Sequence, residues 1–157
     1  MDLVNLWNAV YARIKADTGA GGLWQGGSPT LITAAFNSDA ARDAVFPYVV
    51  FDVASYTSED TFAADMKEVS IRFSVYAEKF PNTTGATMTT GAQILARLYG
   101  NAVSQAARVP TYGFHRWLPT LSGSWVASQM MQTGQFEAHE DGIYHWIDEY
   151  RVFATLG

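Results

Sequence analysis

The residues of this sequence best equipped for chemistry gather near positions 139–145, where His139, Glu140, Asp141 and His145 combine imidazole and carboxylate, a donor set that divalent metals accept. Their spacing argues against a metal site. It lacks the i, i+4 repeat that puts imidazoles on one helix face, and Asp141-Gly142 is a turn dipeptide, so a solvated acidic turn leading into a strand accounts for them. His115 beside Arg116 in F-H-R-W reads as a surface pair on a strand. Serines are plentiful, but there is no G-x-S-x-G elbow to activate one. Gly19 to Gly27 has neither a Lys-Ser/Thr end nor a strand-to-helix setting, so it reads as loop rather than phosphate cradle. With no cysteine at all, thiol nucleophiles, disulfides and thiolate zinc sites are excluded. No catalytic, cofactor-binding or metal site is expected. A small-molecule-binding or hydrolytic domain would need a concave apolar pocket, with His115, His139 and His145 as its only candidates.

What the sequence does specify is an architecture, organised around the stretch Met66 to Glu78. Val69, Ile71, Phe73 and Val75 alternate with Ser70, Arg72, Ser74 and Tyr76, the period of two of a strand with one buried face. A preceding strand, Tyr48 to Tyr56, opens at Phe46-Pro47 and alternates in the same way, with Val49, Phe51 and Val53 on one face. The polar segment Thr57 to Asp65 reads as the turn of an antiparallel hairpin.

Two amphipathic helices flank this hairpin. The first carries Leu3, Leu6, Trp7, Val10 and Ile14 at helical spacing, with Asp2 as cap, Arg13 and Lys15 near its end, and Gly19 as stop. The second, Thr89 to Val103, carries Ile94, Leu95, Leu98, Tyr99 and Ala102. Between the first helix and the first strand runs a long glycine-punctuated connection, Gly19 to Phe46, a candidate contact loop. After the second helix come strand-like runs at Tyr112 to Leu121, Trp125 to Thr133 and Ile143 to Thr155. Turn signals at Ser122-Gly123 and at Glu137 to Gly142 separate them. The expected fold is a single α+β domain over residues 1–157, a mostly antiparallel sheet of about five strands covered by two helices in the order α-β-β-α-β-β-β.

If Val49, Phe51, Val53, Val69, Ile71, Phe73, Val75, Tyr150 and Val152 face the helices, the opposite face carries Asp52, Ser70, Arg72, Ser74, Glu149 and Arg151. That face is polar, of mixed sign and flat, a pattern that an ordinary solvent face and a contact surface share. Composition suits either a rich core or burial against partners: 48% of residues are hydrophobic and 14% aromatic, while 16% are charged. A formal net charge of −5 disfavours a tight grip on phosphates. The opening M-D-L-V-N-L-W-N-A-V has no basic n-region and no spanning apolar run, which predicts a cytoplasmic product or a particle assembled there, and no membrane partner.

The opening helix ending in R-I-K-A-D-T-G, the glycine-bearing loop, F-P-Y-V-V-F-D-V, E-V-S-I-R-F-S-V-Y-A-E, A-Q-I-L-A-R-L-Y and the closing H-W-I-D-E-Y-R-V-F-A together resemble the tail terminator (tail completion) proteins of long-tailed bacteriophages. The resemblance covers nearly the whole chain. It implies a virion structural protein of the neck without enzymatic activity or cofactors. Such proteins form a ring, usually a hexamer, that caps the tail tube, stops its growth and presents a surface to head-completion or connector proteins while DNA passes. It also implies that the sheet approaches the channel, which would turn Ser70, Arg72, Ser74, Glu149 and Arg151 toward it. Head-closure and tail tube proteins use related designs and are the nearest alternatives.

Overall fold

The computed structural model describes residues 3–25, 28–29, 31–60, 65–78, 84–101, 110–121, 123–140 and 143–156. The elements follow in the order α1 (Leu3–Lys15), β1 (Trp24–Gln25), β2 (Ser28–Pro29), β3 (Ala34–Asn37), β4 (Tyr48–Asp60), β5 (Asp65–Glu78), α2 (Thr84–Tyr99), β6 (Trp125–Ala127), β7 (Met131–Glu140) and β8 (Ile143–Leu156). The described residues form an α+β fold, with two helices and a mostly antiparallel sheet.

The alternation in β5 makes it the centre of that sheet. Val69, Ile71, Phe73 and Val75 are each 0% exposed. β5 pairs antiparallel with β4 on one side and β8 on the other. β3 lies parallel to β4, outside it. The far edge of β8 is shared, with β7 along residues 143–151 and β6 along Ala154–Leu156.

The helices cover one face only. Leu6, Val10 and Ile14 of α1 and Ile94, Leu95 and Leu98 of α2 are buried in one cluster with Val49, Phe51, Val69, Ile71, Phe73, Val75, Tyr150 and Val152. Each such side chain contributes about 1.5–3 kcal/mol on leaving water, so the period-2 and period-3.6 patterns are satisfied at the same interface. Phe73 sits at the centre, with its ring 4.5 Å from Phe114, 5.5 Å from Tyr150 and 6.3 Å from Phe51. Gly91 lets α2 come close: a Cβ there would lie 2.6 Å from the Trp146 ring.

Several boundaries depart from expectation for identifiable reasons. Tyr112 to Leu121 is not a strand. Its backbone turns at Gly113 and Arg116, both at positive φ, and the amides of Phe114 and His115 donate to the carbonyls of Leu98 and Tyr99 at the end of α2. The apolar residues Phe114 and Trp117 plug the core instead of lining a pleat. Arg13 of α1 pins this segment by donating to the carbonyls of Pro110 (2.7 Å) and Gly113 (3.1 Å), with its guanidinium over Trp117.

Trp125 to Thr133 is two strands, β6 and part of β7. Between them Met130 exchanges backbone hydrogen bonds with Arg116 and Trp117, which draws the chain off β8. β4 continues to Asp60 and β5 begins at Asp65, so most of the expected turn at Thr57 to Asp65 is strand. β7 likewise runs through the expected polar turn as far as Glu140. α2 begins at Thr84, ahead of Thr89, and stops at Tyr99, where Gly100 takes the positive φ of a helix C-terminus. α1 ends at Lys15, short of Gly19. The connection Gly19 to Phe46 contains the β1–β2 hairpin and β3. The Asp2 cap, Ala102 and Val103, Ser122 and Asp141-Gly142 lie outside the described residues.

Candidate functional site

The face of the sheet turned away from the helices is the candidate surface, and strand register orders it into rows. Asp52, Arg72 and Glu149 form one row and Ser55, Ser70 and Arg151 the next. A β-bulge between Val53 and Ser55 brings Ser55 back to this face after Asp52. Ser74 continues the file beside Val50 and Ile147, but at 7% exposure it is buried. All five candidates, Ser70, Arg72, Ser74, Glu149 and Arg151, thus share the expected face.

The charges on this face satisfy one another. Arg72 grips Asp52 in a fork, Nη2 donating to Oδ2 at 2.8 Å and Nε to Oδ1 at 3.2 Å, and these bonds with the nearby Glu149 hold the guanidinium pKa above its usual value. Arg151 Nε lies 2.9 Å from Glu68 Oε1. These pairs are partly exposed, so each adds at most about 1 kcal/mol to stability. Their larger effect is to leave, among the described residues, a polar surface with no free cationic stripe.

Toward the other end the face becomes aromatic. Phe46 stacks on Tyr48 (5.3 Å), Tyr48 on Tyr76 (5.1 Å), and Tyr76 on His145 (4.2 Å, planes 14° apart), while Phe36 meets Tyr48 edge-on. Alternation alone assigns Tyr48 and Tyr76 to this face. Their stacking depends on cross-strand register, which no single strand encodes.

The histidines do not converge. His145 belongs to the aromatic file, whereas His115 lies by the end of α2, stacked on Tyr99 at 4.5 Å, its Nδ1 accepting from the Gln132 amide at 3.2 Å. Burial, aided by Arg116, lowers the His115 pKa. The His139 side chain is outside the described residues. Among the described residues no group of three His, Asp or Glu is placed to hold a metal. A groove of about 490 Å³ beside α2, lined by Leu95, Tyr99, Gln132 and Gln135, and one of about 350 Å³ between α1 and β3, lined by Trp7, Tyr11, Phe36 and Phe51, have no histidine among their described lining residues.

One buried carboxyl was not legible beforehand. Asp148 is 0% exposed on the helix face, where Tyr150 Oη donates to Oδ2 at 2.7 Å and Gln132 Nε2 donates to Oδ1. Burial outweighs these bonds and pushes its pKa up to about 6. The raised folded value means that its contribution to stability is present below the unfolded pKa and is lost as pH rises through about 6. His115 acts oppositely, losing stability as pH falls below its unfolded value, so the two must be separated by substitution. Asp148→Asn is expected to flatten the pH dependence between pH 4 and 7 by up to about 3 kcal/mol relative to the parent, and to leave stability at pH 7 equal or higher. Urea unfolding at closely spaced pH values checks this.

In comparison with solved structures, the fold matches a chain from the "Virion of native gene transfer agent (GTA) particle", with a TM-score of 0.60 and 14% identity over 98% of this chain and 96% of that one. At that identity the likeness is one of fold. No protein-family model matches the sequence, and no curated protein does. Among the described residues, no helix is long and apolar enough to cross a membrane.

Proposed function

We propose that this protein is a virion structural protein that forms a ring, six subunits around a channel, capping a phage-type tail tube at the neck. The observation that carries this is a fold shared from end to end with a chain of a virion particle, built as a sheet with helices on one face only. The face left open suits a channel wall. Its arginines are already paired with carboxylates, and the chain carries a net charge of −5, so a duplex passing Ser70, Arg72, Glu149 and Arg151 would release few counterions and would not be held. Ser74 belongs to the same wall but lies beneath its surface.

In this role the protein has no enzymatic activity and needs no cofactor. Its partners are its own copies, the tail tube protein below and a head-completion or connector protein above. It acts in the virion, after assembly in the host cytoplasm. Light scattering of the purified protein across a concentration series tests the proposal: a discrete closed species near six subunits is expected. A chain that stays monomeric at high concentration and does not bind tube ends would overturn it. Open-ended polymers would instead mark a tail tube subunit.

A further inference from the structure

We infer that copies of this chain join edge to edge, β3 of one against β7 of the next, with Phe136 of β7 packed beside Phe36 of β3. This rests on the ring proposed above and specifies its seam. The main sheet ends at β3 on one side and at β7 on the other, and among the described residues neither strand has a further partner. Such edges present unpaired backbone groups that template another strand.

Polarity decides which edges meet. β3 runs with β4, β5 runs against it, β8 runs with it again, and β7 opposes β8. β7 is therefore antiparallel to β3. A rotation axis lying roughly along the strands preserves strand direction from copy to copy, so β7 of one subunit meets β3 of the next as an ordinary antiparallel pair. The contact is heterologous and can close into a ring.

Side chains select the register. One cross-strand row runs Phe36, Val50, Ser74, Ile147, Phe136, so both edges end the same row in an aromatic ring on the same face. Phe136 is 49% exposed, an unusual state for phenylalanine on a strand. Phe36, with Phe46 and Tyr48 behind it, offers the aromatic surface that would cover it. With Phe136 opposite Phe36, Asn37 falls opposite Gln135, and both are exposed on the other face.

The absence of cysteine gives a clean test. Asn37→Cys and Gln135→Cys would stand about 4.5–5.5 Å apart at Cβ across the seam, close enough for a disulfide after slight adjustment. Under mild oxidation each variant alone should stay uncross-linked, an equal mixture should give disulfide-linked dimers, and the double variant a ladder that ends at the ring number. Cross-linking within a single variant would mean a two-fold contact and overturn the inference. A closed oligomer by light scattering without cross-links in the mixture would overturn the seam and leave the ring standing. Absence of both oligomer and cross-link would overturn the seam, and the ring with it if the chain also fails to bind tube ends. Phe136→Ala should weaken association about tenfold or more without lowering the thermal midpoint, and unchanged association would count against the seam.

Discussion

Arg97→Ala is expected to lower the unfolding free energy by roughly 3–5 kcal/mol, read from urea titration at pH 7. Asp17, just beyond α1, is only 5% exposed. Arg97 Nε reaches both its oxygens, at 2.9 and 2.7 Å, and the Leu23 amide donates to Oδ2 at 3.0 Å. The Arg97 guanidinium also lies 3.4 Å from the centre of the Tyr112 ring. This pair joins α1, the loop before β1 and α2, elements far apart in the chain. Removing the cation strands a carboxylate with little water.

Asp17→Ala should cost less, about 2–3 kcal/mol, because the arginine it frees borders an open groove with Gly21, Gln93 and Tyr112 while only the Leu23 amide loses its acceptor. The double variant separates the two losses: Arg97→Ala/Asp17→Ala should be less damaging than Arg97→Ala alone, because it strands no carboxylate. Strictly additive losses would show that the pair acts only through packing.

The second large effect is expected at Gly113. Its φ is +78°, and a Cβ there would lie 2.2 Å from Gly100 Cα and 2.4 Å from Gly100 N. Backbone cannot give way as a flexible side chain does, so Gly113→Ala should cost at least roughly 3 kcal/mol and loosen the segment that carries Phe114 into the core. Gly123 provides the control. It has φ +73° with nothing within 4 Å of the added atom, so its alanine variant should lose only the backbone term, about 1–2 kcal/mol. Comparable thermal midpoints for the two variants would refute the steric account.

The contrast between what was and was not legible in the sequence follows from the range of the forces involved. Val69 to Val75 and Leu6 to Ile14 announce their faces because burial acts on one element at a time, and both faces are where their periods place them. Ser70, Arg72, Glu149 and Arg151 share a face for the same reason. F-H-R-W misled because Phe114 and Trp117 are as apolar as strand residues, while the glycine crossing that bends this segment is visible only once Gly100 and Gly113 touch. Asp17 and Asp148 look like surface carboxylates in sequence. Their burial depends on Arg97 in one case, and on Gln132 and Tyr150 in the other, partners that only the tertiary fold supplies.

β8 follows in the chain every strand that it joins, and among the described residues it alone bonds to β5, β6 and β7 alike. During synthesis β5 must therefore wait, one edge uncovered along residues 66–78, until residues 143–156 have left the ribosome. Folding of this sheet is gated by β8: chains made only as far as β7 display a long uncovered edge, and chains cut short before β8 should be captured by chaperones or aggregate. Completion of the sheet then coincides with completion of the β7 edge, so under the seam proposed above a copy could join its neighbours only once β8 is in place.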